Sequence, residues 1–127
     1  MSRTLAIRRL LLPRDTNHRG EVFGGAILAE IDLAGAVEAR RHTVHDVATV
    51  AVKEVQFVRP VQVGDVVTFF TSLVRIGTSS IHVRVEVEAS RDGEGALQSV
   101  TVAEVVYVTI TRNADGTIAK VPVKDPT

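Results

Sequence analysis

One carboxylate interrupts an apolar run. Asp32 stands between Ile31 and Leu33, a turn after Leu28 and a turn before Gly35 and Ala36. Taking a carboxylate out of water is costly unless it is paired or put to use. Asp32 is therefore either a base or nucleophile, or, with nearby Glu30, the one wet stripe of its helix. Seven residues upstream of it Gly20-Glu21-Val22-Phe23-Gly24-Gly25 ends in a glycine pair. Glycines at a helix start let a ligand approach the backbone closely. The free N–H groups of the first turn can hold an oxyanion there, although an ordinary turn has the same composition. Two helical turns, roughly 10 Å, separate Gly25 from Asp32. One carbonyl reaches both only if the substrate is bent or the groove is shared with another chain. Asn17, in the loop before the glycines, offers an amide that can position a water or donate to a carbonyl, or can close an Asx turn.

The remaining polar residues say less. His42 and His45 are three apart at a helix end, with no acidic or thiolate partner following at metal-ligand spacing. His18 falls in a polar loop and His82 on the wet face of a strand, so all four histidines read as surface groups and no metal site is expected. The chain has no cysteine, which removes disulfides, thiolate metal sites and a Cys nucleophile together. Gly-x-Ser-x-Gly, the P-loop pattern and His-Glu-x-x-His are absent. Gly77-Thr78-Ser79-Ser80 is a strand-to-strand turn whose hydroxyls can meet a phosphate.

The elements that position these groups follow from periodicity. Residues 4–12 form an apolar strand closed by Pro13, and residues 14–20 are a loop of turn formers. From Gly24 to Arg41 good helix formers run without proline, and Arg40, Arg41 and His42 sit where cations favour the dipole. Apolar residues cover most of the circumference, which predicts a helix buried on most sides. β-branched runs at 47–58 and 66–76 predict strands. Over 80–89 the alternation is strict, with Ile81, Val83, Val85 and Val87 facing one way and His82, Arg84, Glu86 and Glu88 the other. A loop at 91–95 leads to a long strand at 99–111 with apolar groups on both faces, and a short strand is expected at 117–121. Strands joined by short turns favour an antiparallel sheet, and the one helix must bury itself against it. No second helix is left for the sheet's other face, so a second chain is expected to cover part of it.

The 127 residues suit one domain, 1–127. Lys plus Arg and Asp plus Glu number 15 each, which gives no electrostatic case for nucleic acid or a membrane surface. The apolar N-terminal stretch is short and broken by Arg8 and Arg9, a poor signal peptide, and no run reaches the length of a membrane span. A cytoplasmic location is expected.

The residues Asp15-Thr16-Asn17-His18-Arg19-Gly20-Glu21-Val22-Phe23-Gly24-Gly25-Ala26-Ile27-Leu28, followed by Asp32, resemble the signature of bacterial acyl-CoA thioesterases of the YciA type. Phe57-Val58-Arg59-Pro60-Val61-Gln62-Val63-Gly64-Asp65 and Gly77-Thr78-Ser79-Ser80-Ile81 resemble that family's second and third blocks. The resemblance runs over nearly the whole chain. It implies an α+β hotdog fold, a curved antiparallel sheet wrapped around one long helix. It further implies an acyl-CoA thioester substrate and a homodimer as the minimal unit, assembled into a hexamer as a trimer of dimers. No cofactor is expected, CoA being part of the substrate.

By that resemblance Asp32 and Asn17 act together across the dimer interface. Gly25 first, and Gly24 second, supply the oxyanion-binding helix start, and Thr78, Ser79 and Ser80 lie near the CoA pantetheine or phosphates. Arg59 is added as a phosphate contact on charge alone. The chain ends soon after its last strand, so a C-terminal helix or tail found in longer relatives is expected to be missing. The expected reaction is thioester hydrolysis, Asp32 activating a water or attacking directly to give an anhydride. The alternative is a non-catalytic acyl-CoA sensor on the same fold. A dehydratase would need a histidine in the helix motif, and a purely structural role leaves Asp32 unexplained.

Overall fold

The computed structural model describes residues 2–22, 24–91 and 95–124. Phe23 of the first motif, and Asp92, Gly93 and Glu94 of the loop expected at 91–95, lie outside the described residues. The elements are β1 (Thr4–Leu10), a 3-10 turn (Pro13–Asp15), α1 (Gly24–Arg40), β2 (Asp46–Lys53), β3 (Asp65–Ile76), β4 (Ser80–Arg91), β5 (Gln98–Arg112) and β6 (Ile118–Lys120). The strands form one antiparallel sheet in the order β1-β3-β4-β5-β2, with β6 also paired to β5. The sheet curves around α1, which touches all five of the longer strands.

The strict alternation over 80–89 is the reason β4 lies mid-sheet. Ile81, Val83, Val85 and Val87 are all fully buried, and each such side chain contributes about 1.5–3 kcal/mol relative to leaving it in water. They meet Ile27, Ile31 and Ala34 of the helix and Val67, Phe69, Val105 and Tyr107 of the flanking strands in one core.

Three expectations are corrected. The strand over 47–58 stops at Lys53, because Glu54 takes a left-handed φ of 52° and breaks the ladder. The chain then runs on beside β5, held by Thr101 Oγ1 donating to the Gln56 carbonyl at 2.7 Å and Val58 N–H to the Val100 carbonyl at 2.9 Å.

The helix is not buried on most sides. Leu33 and Val37 remain 57 % and 49 % exposed, because the sheet covers only one side of α1. β2 is the last strand of the sheet on one side, and Val50 on it is exposed as well.

His82 is not on a wet surface: it is 6 % exposed. It lies on the sheet's outer face, but β3 and β5 flank it through Arg75 and Val106, and its Nδ1 is 3.0 Å from Glu104 Oε2. That contact, helped by Lys53 at 3.6 Å, holds the Glu104 carboxyl below its usual pKa.

Candidate active site

The loop between β1 and α1 is built from its own polar groups. Asn17 Oδ1 accepts from the Arg19 N–H at 2.9 Å and the Glu21 N–H at 3.3 Å, and Gly20 adopts a left-handed φ of 79°. This is the Asx turn. With Oδ1 engaged, Nδ2 is the amide's remaining donor. Val22 N–H donates to the Val61 carbonyl at 2.8 Å, and Glu21 bridges to Gln62. The first and second sequence blocks are thus one structural unit. Between them lies a cavity of about 160 Å³ lined by Asn17, Arg19, Gly24, Ile27, Phe57 and Arg59, among others. A Cβ on Gly24 would meet only the Phe57 ring, at 3.8 Å. Packing within the chain therefore does not require glycine there. Arg59 is exposed and donates from Nη1 to the Ser99 carbonyl at 2.8 Å.

Asp15 anchors this loop. Its carboxylate accepts from the Leu12 N–H at 2.9 Å and from Arg9 Nη2 at 2.7 Å, and Arg9 Nη1 reaches Glu30 of the helix at 3.0 Å. The Leu12 hydrogen bond foremost, and Arg9 after it, hold the Asp15 carboxyl below its usual pKa against the opposing effect of burial. A lowered folded-state pKa contributes stability above the unfolded value of about 3.9, and that stability is lost as pH falls through the folded value. Asp15→Asn is therefore expected to lower the melting temperature at pH 7, and the gap to the wild type should narrow as pH falls below about 4. An equal gap at pH 7 and pH 3, read by thermal unfolding, contradicts this.

Asp32 lies elsewhere. It does not line the cavity, being eight residues along α1 from Gly24, about 12 Å. It is half-buried, neither dry nor on an open stripe. Thr49 Oγ1 donates to its Oδ1 at 2.6 Å. The Tyr107 hydroxyl donates to its main-chain carbonyl at 2.6 Å and lies 3.4 Å from the same Oδ1. Oδ2 has no partner among the described residues. Tyr107 is fully buried, and burial, reinforced by the Asp32 charge, pushes its hydroxyl pKa far up. It stays a neutral donor at any working pH.

Thr49 and Tyr107 escaped sequence reasoning. Tyr107 is the chain's one tyrosine, and its need for a partner when buried was the available signal. Gly35 completes the arrangement: a Cβ there would overlap the Tyr107 hydroxyl.

The turn at 78–80 belongs to this second group of residues. Ser80 pairs with Val108, and Ile81 with Tyr107. The Ser79 and Thr78 carbonyls accept from Thr109 and Val123 N–H at 3.0 and 2.9 Å. Thr78, with Ile76, Gly77, Pro122, Val123 and Lys124, lines a groove of about 450 Å³, which Ser79 and Ser80 do not line. A single chain thus holds two separated sets: Asn17, Gly24 and Arg59 at the helix start, and Asp32, Thr49 and Tyr107 near the 78–80 turn.

A second carboxylate on the helix is more deeply buried than Asp32. Glu38 is 5 % exposed and is satisfied by Thr71 Oγ1 at 3.0 Å, His42 Nε2 at 2.6 Å and Arg41 Nη1 at 3.4 Å. His42 is therefore a paired residue, not a free surface group. Among the described residues no helix is long and apolar enough to cross a membrane.

A long helix cradled by an antiparallel sheet of this order is the hotdog arrangement. Residues 19–96 match the family model of the thioesterase superfamily. The acyl-CoA thioester hydrolase YciA of Salmonella typhimurium is 34 % identical over 121 residues, covering 94 % of this chain and 91 % of the relative. Two solved structures superpose closely. The hexameric hotdog fold thioesterase Cj0915 of Campylobacter jejuni gives a TM-score of 0.81 at 40 % identity, covering 94 % of this chain and 90 % of that one. The hexameric thioesterase y2039 of Yersinia pestis gives 0.82 at 32 % identity, covering 96 % and 98 %. The chain belongs to the thioesterase superfamily, in its YciA-type group.

Proposed function

We propose that this chain hydrolyses acyl-CoA thioesters at a site assembled from two copies, Asp32 coming from one and the helix start from the other. The observation that carries the reading is the partition of the chemistry. The single chain presents on Asp32 a carboxylate with one oxygen held by Thr49, and about 12 Å away along the helix a cavity lined by Asn17 and Gly24, with Gly25 the next residue of the helix. Two-fold pairing of identical chains matches each set with its complement and makes two equal sites. The exposed Leu33 and Val37, and the apolar end strand β2, support a second copy on that side. The two solved relatives, both hexameric, fit such a homo-oligomer.

In this site the N–H groups of Gly25 and Gly24 bind the thioester oxygen as it gains charge, and Asn17 Nδ2 donates to the carbonyl or to the attacking water. Asp32 takes a proton from water as it adds to the carbonyl carbon. The tetrahedral adduct then expels CoA thiolate and leaves the free acid. Direct attack by Asp32, forming an anhydride that water opens, gives the same products. The thiolate leaves readily, so no strong general acid is required. Arg59 and the hydroxyls of Thr78, Ser79 and Ser80 serve the CoA arm.

Thiol release from a panel of acyl-CoAs of increasing chain length tests this. Catalytic release of CoA is expected with at least one chain length. Saturable binding without release would make the protein a sensor and not an enzyme.

A further inference from the structure

We propose that Phe57 sets the acyl-chain length this protein accepts, by walling the cavity beside the helix start into a pocket for a short acyl group; this rests on the hydrolase reading, with the thioester oxygen held at Gly24 and Gly25. The cavity has two chemically different parts. Its floor is Val22, Ile27 and Val61, all apolar and buried. The Val22 N–H and the Val61 carbonyl are spent on each other at 2.8 Å. Its rim carries Asn17, Arg19 and Arg59, each at least partly exposed. A site of that kind fixes a polar group at its mouth and takes an apolar one into its depth. The CoA arm is polar and charged, and Arg59, assigned to it, stands on the rim. The acyl tail is the part of the substrate that suits the floor.

Phe57 is the wall residue that packing within the chain leaves open. It is 43 % exposed, although its neighbours are tied to β5, Gln56 through its carbonyl and Val58 through its N–H. The backbone is fixed there while the ring stays within reach of solvent. The ring also lies against the helix start: a Cβ on Gly24 would sit 3.8 Å from Phe57 Cε2. A thioester whose oxygen is bound at Gly24 and Gly25 therefore has its first acyl carbons beside this ring. The cavity volume, about 160 Å³, sets the length. A water molecule takes about 30 Å³ of liquid, so the pocket holds about five groups of that size. That is room for an acyl group of about four to six carbons, and longer chains meet the Phe57 ring.

The test measures kcat/KM for CoA release with saturated straight-chain acyl-CoAs from acetyl to dodecanoyl, in the wild type, Phe57→Ala and Phe57→Leu. Each methylene that enters the pocket is expected to raise the wild-type value about fourfold, up to about four to six carbons, beyond which the value falls. Phe57→Ala leaves a cavity where the ring stood, and the optimum is expected to move out by about two to four carbons. Decanoyl-CoA should gain about tenfold over wild type and butanoyl-CoA should lose about tenfold. Phe57→Leu keeps a smaller apolar wall; its optimum is expected between the two, and it serves in place of the alanine should that variant fail to fold. A merely structural role for the ring would scale all chain lengths alike.

A chain-length profile unchanged in both variants, whether or not all rates fall together, or a wild-type optimum at decanoyl or longer, would each overturn the assignment. A wild type that binds these acyl-CoAs and releases CoA from none of them would instead overturn the hydrolase reading on which it rests.

Discussion

Asp32→Asn is expected to lower kcat for acyl-CoA hydrolysis by about a thousandfold, within the range general-base removal produces, while the melting temperature stays near wild type. The two halves of that expectation have separate causes. An asparagine keeps an oxygen where Oδ1 now accepts from Thr49, and it leaves untouched the main-chain carbonyl that accepts from Tyr107. The local structure therefore survives. The amide cannot take a proton from water or act as a nucleophile, so the chemical step does not. KM should move little, because the groups assigned to hold the thioester oxygen and the CoA arm are other residues and remain in place. Retention of wild-type turnover would remove Asp32 from the mechanism.

Gly35→Ala is expected to destabilise the fold and impair turnover together. A methyl group at 35 would overlap the Tyr107 hydroxyl, and the ring carbons Cζ and Cε2 would lie only 3.1 and 3.2 Å from it. Tyr107 cannot retreat, being fully buried on a strand paired on both sides. Overpacking of this kind costs about 1–3 kcal/mol. Alanine's better helix propensity returns about 1 kcal/mol, so the overlap wins by a margin visible in thermal unfolding. Displacing Tyr107 also loosens Asp32, so kcat falls too. The double variant Gly35→Ala with Tyr107→Phe removes the overlapping oxygen and leaves the ring a few tenths of an ångström to give. Its stability loss is therefore expected to be smaller than the sum of the two single losses. A Gly35→Ala protein as stable and active as wild type would show that the helix and β5 are not in the contact described.

The comparison of Asp32 with Glu38 shows how far sequence carries such a reading. Both interrupt the same helix between apolar neighbours, but Asp32 has apolar or small residues a turn away on either side, whereas Glu38 has Arg41 and His42 a turn later. Glu38 is the more buried of the two, but three side chains satisfy it, two of them from its own helix end and one from β3. A carboxylate whose oxygens are fully engaged is structural, and one with an oxygen open is available for chemistry. That distinction depends on Thr71, 33 residues distant from Glu38, and on Thr49 and Tyr107, 17 and 75 residues distant from Asp32. No local period encodes those separations.

What the local periods do encode appeared as expected. The helix start at Gly24, the buried faces of β4 and the ends of β3 followed from alternation and turn chemistry. The β-bulge after Thr49, the left-handed Glu54 and the burial of His82 did not, because each is set by a neighbouring strand and not by its own segment. Asn17 and Gly24 of the first motif block line one cavity with Arg59 of the second; only its charge marks that arginine in the sequence. Asp32 lies apart from them, as the helical rise requires.

Mixing two inactive variants tests the two-chain site most directly. Asp32→Asn and Asn17→Ala chains, co-expressed in equal amounts, pair at random, so half of the dimers are mixed. Each mixed dimer then holds one site carrying both substitutions and one carrying neither. Activity of about a quarter of wild type is the predicted result, far above either variant alone. If Asp32 and Asn17 of the same chain served one site, every site would carry a substitution, and the mixture would be no more active than the two variants assayed separately.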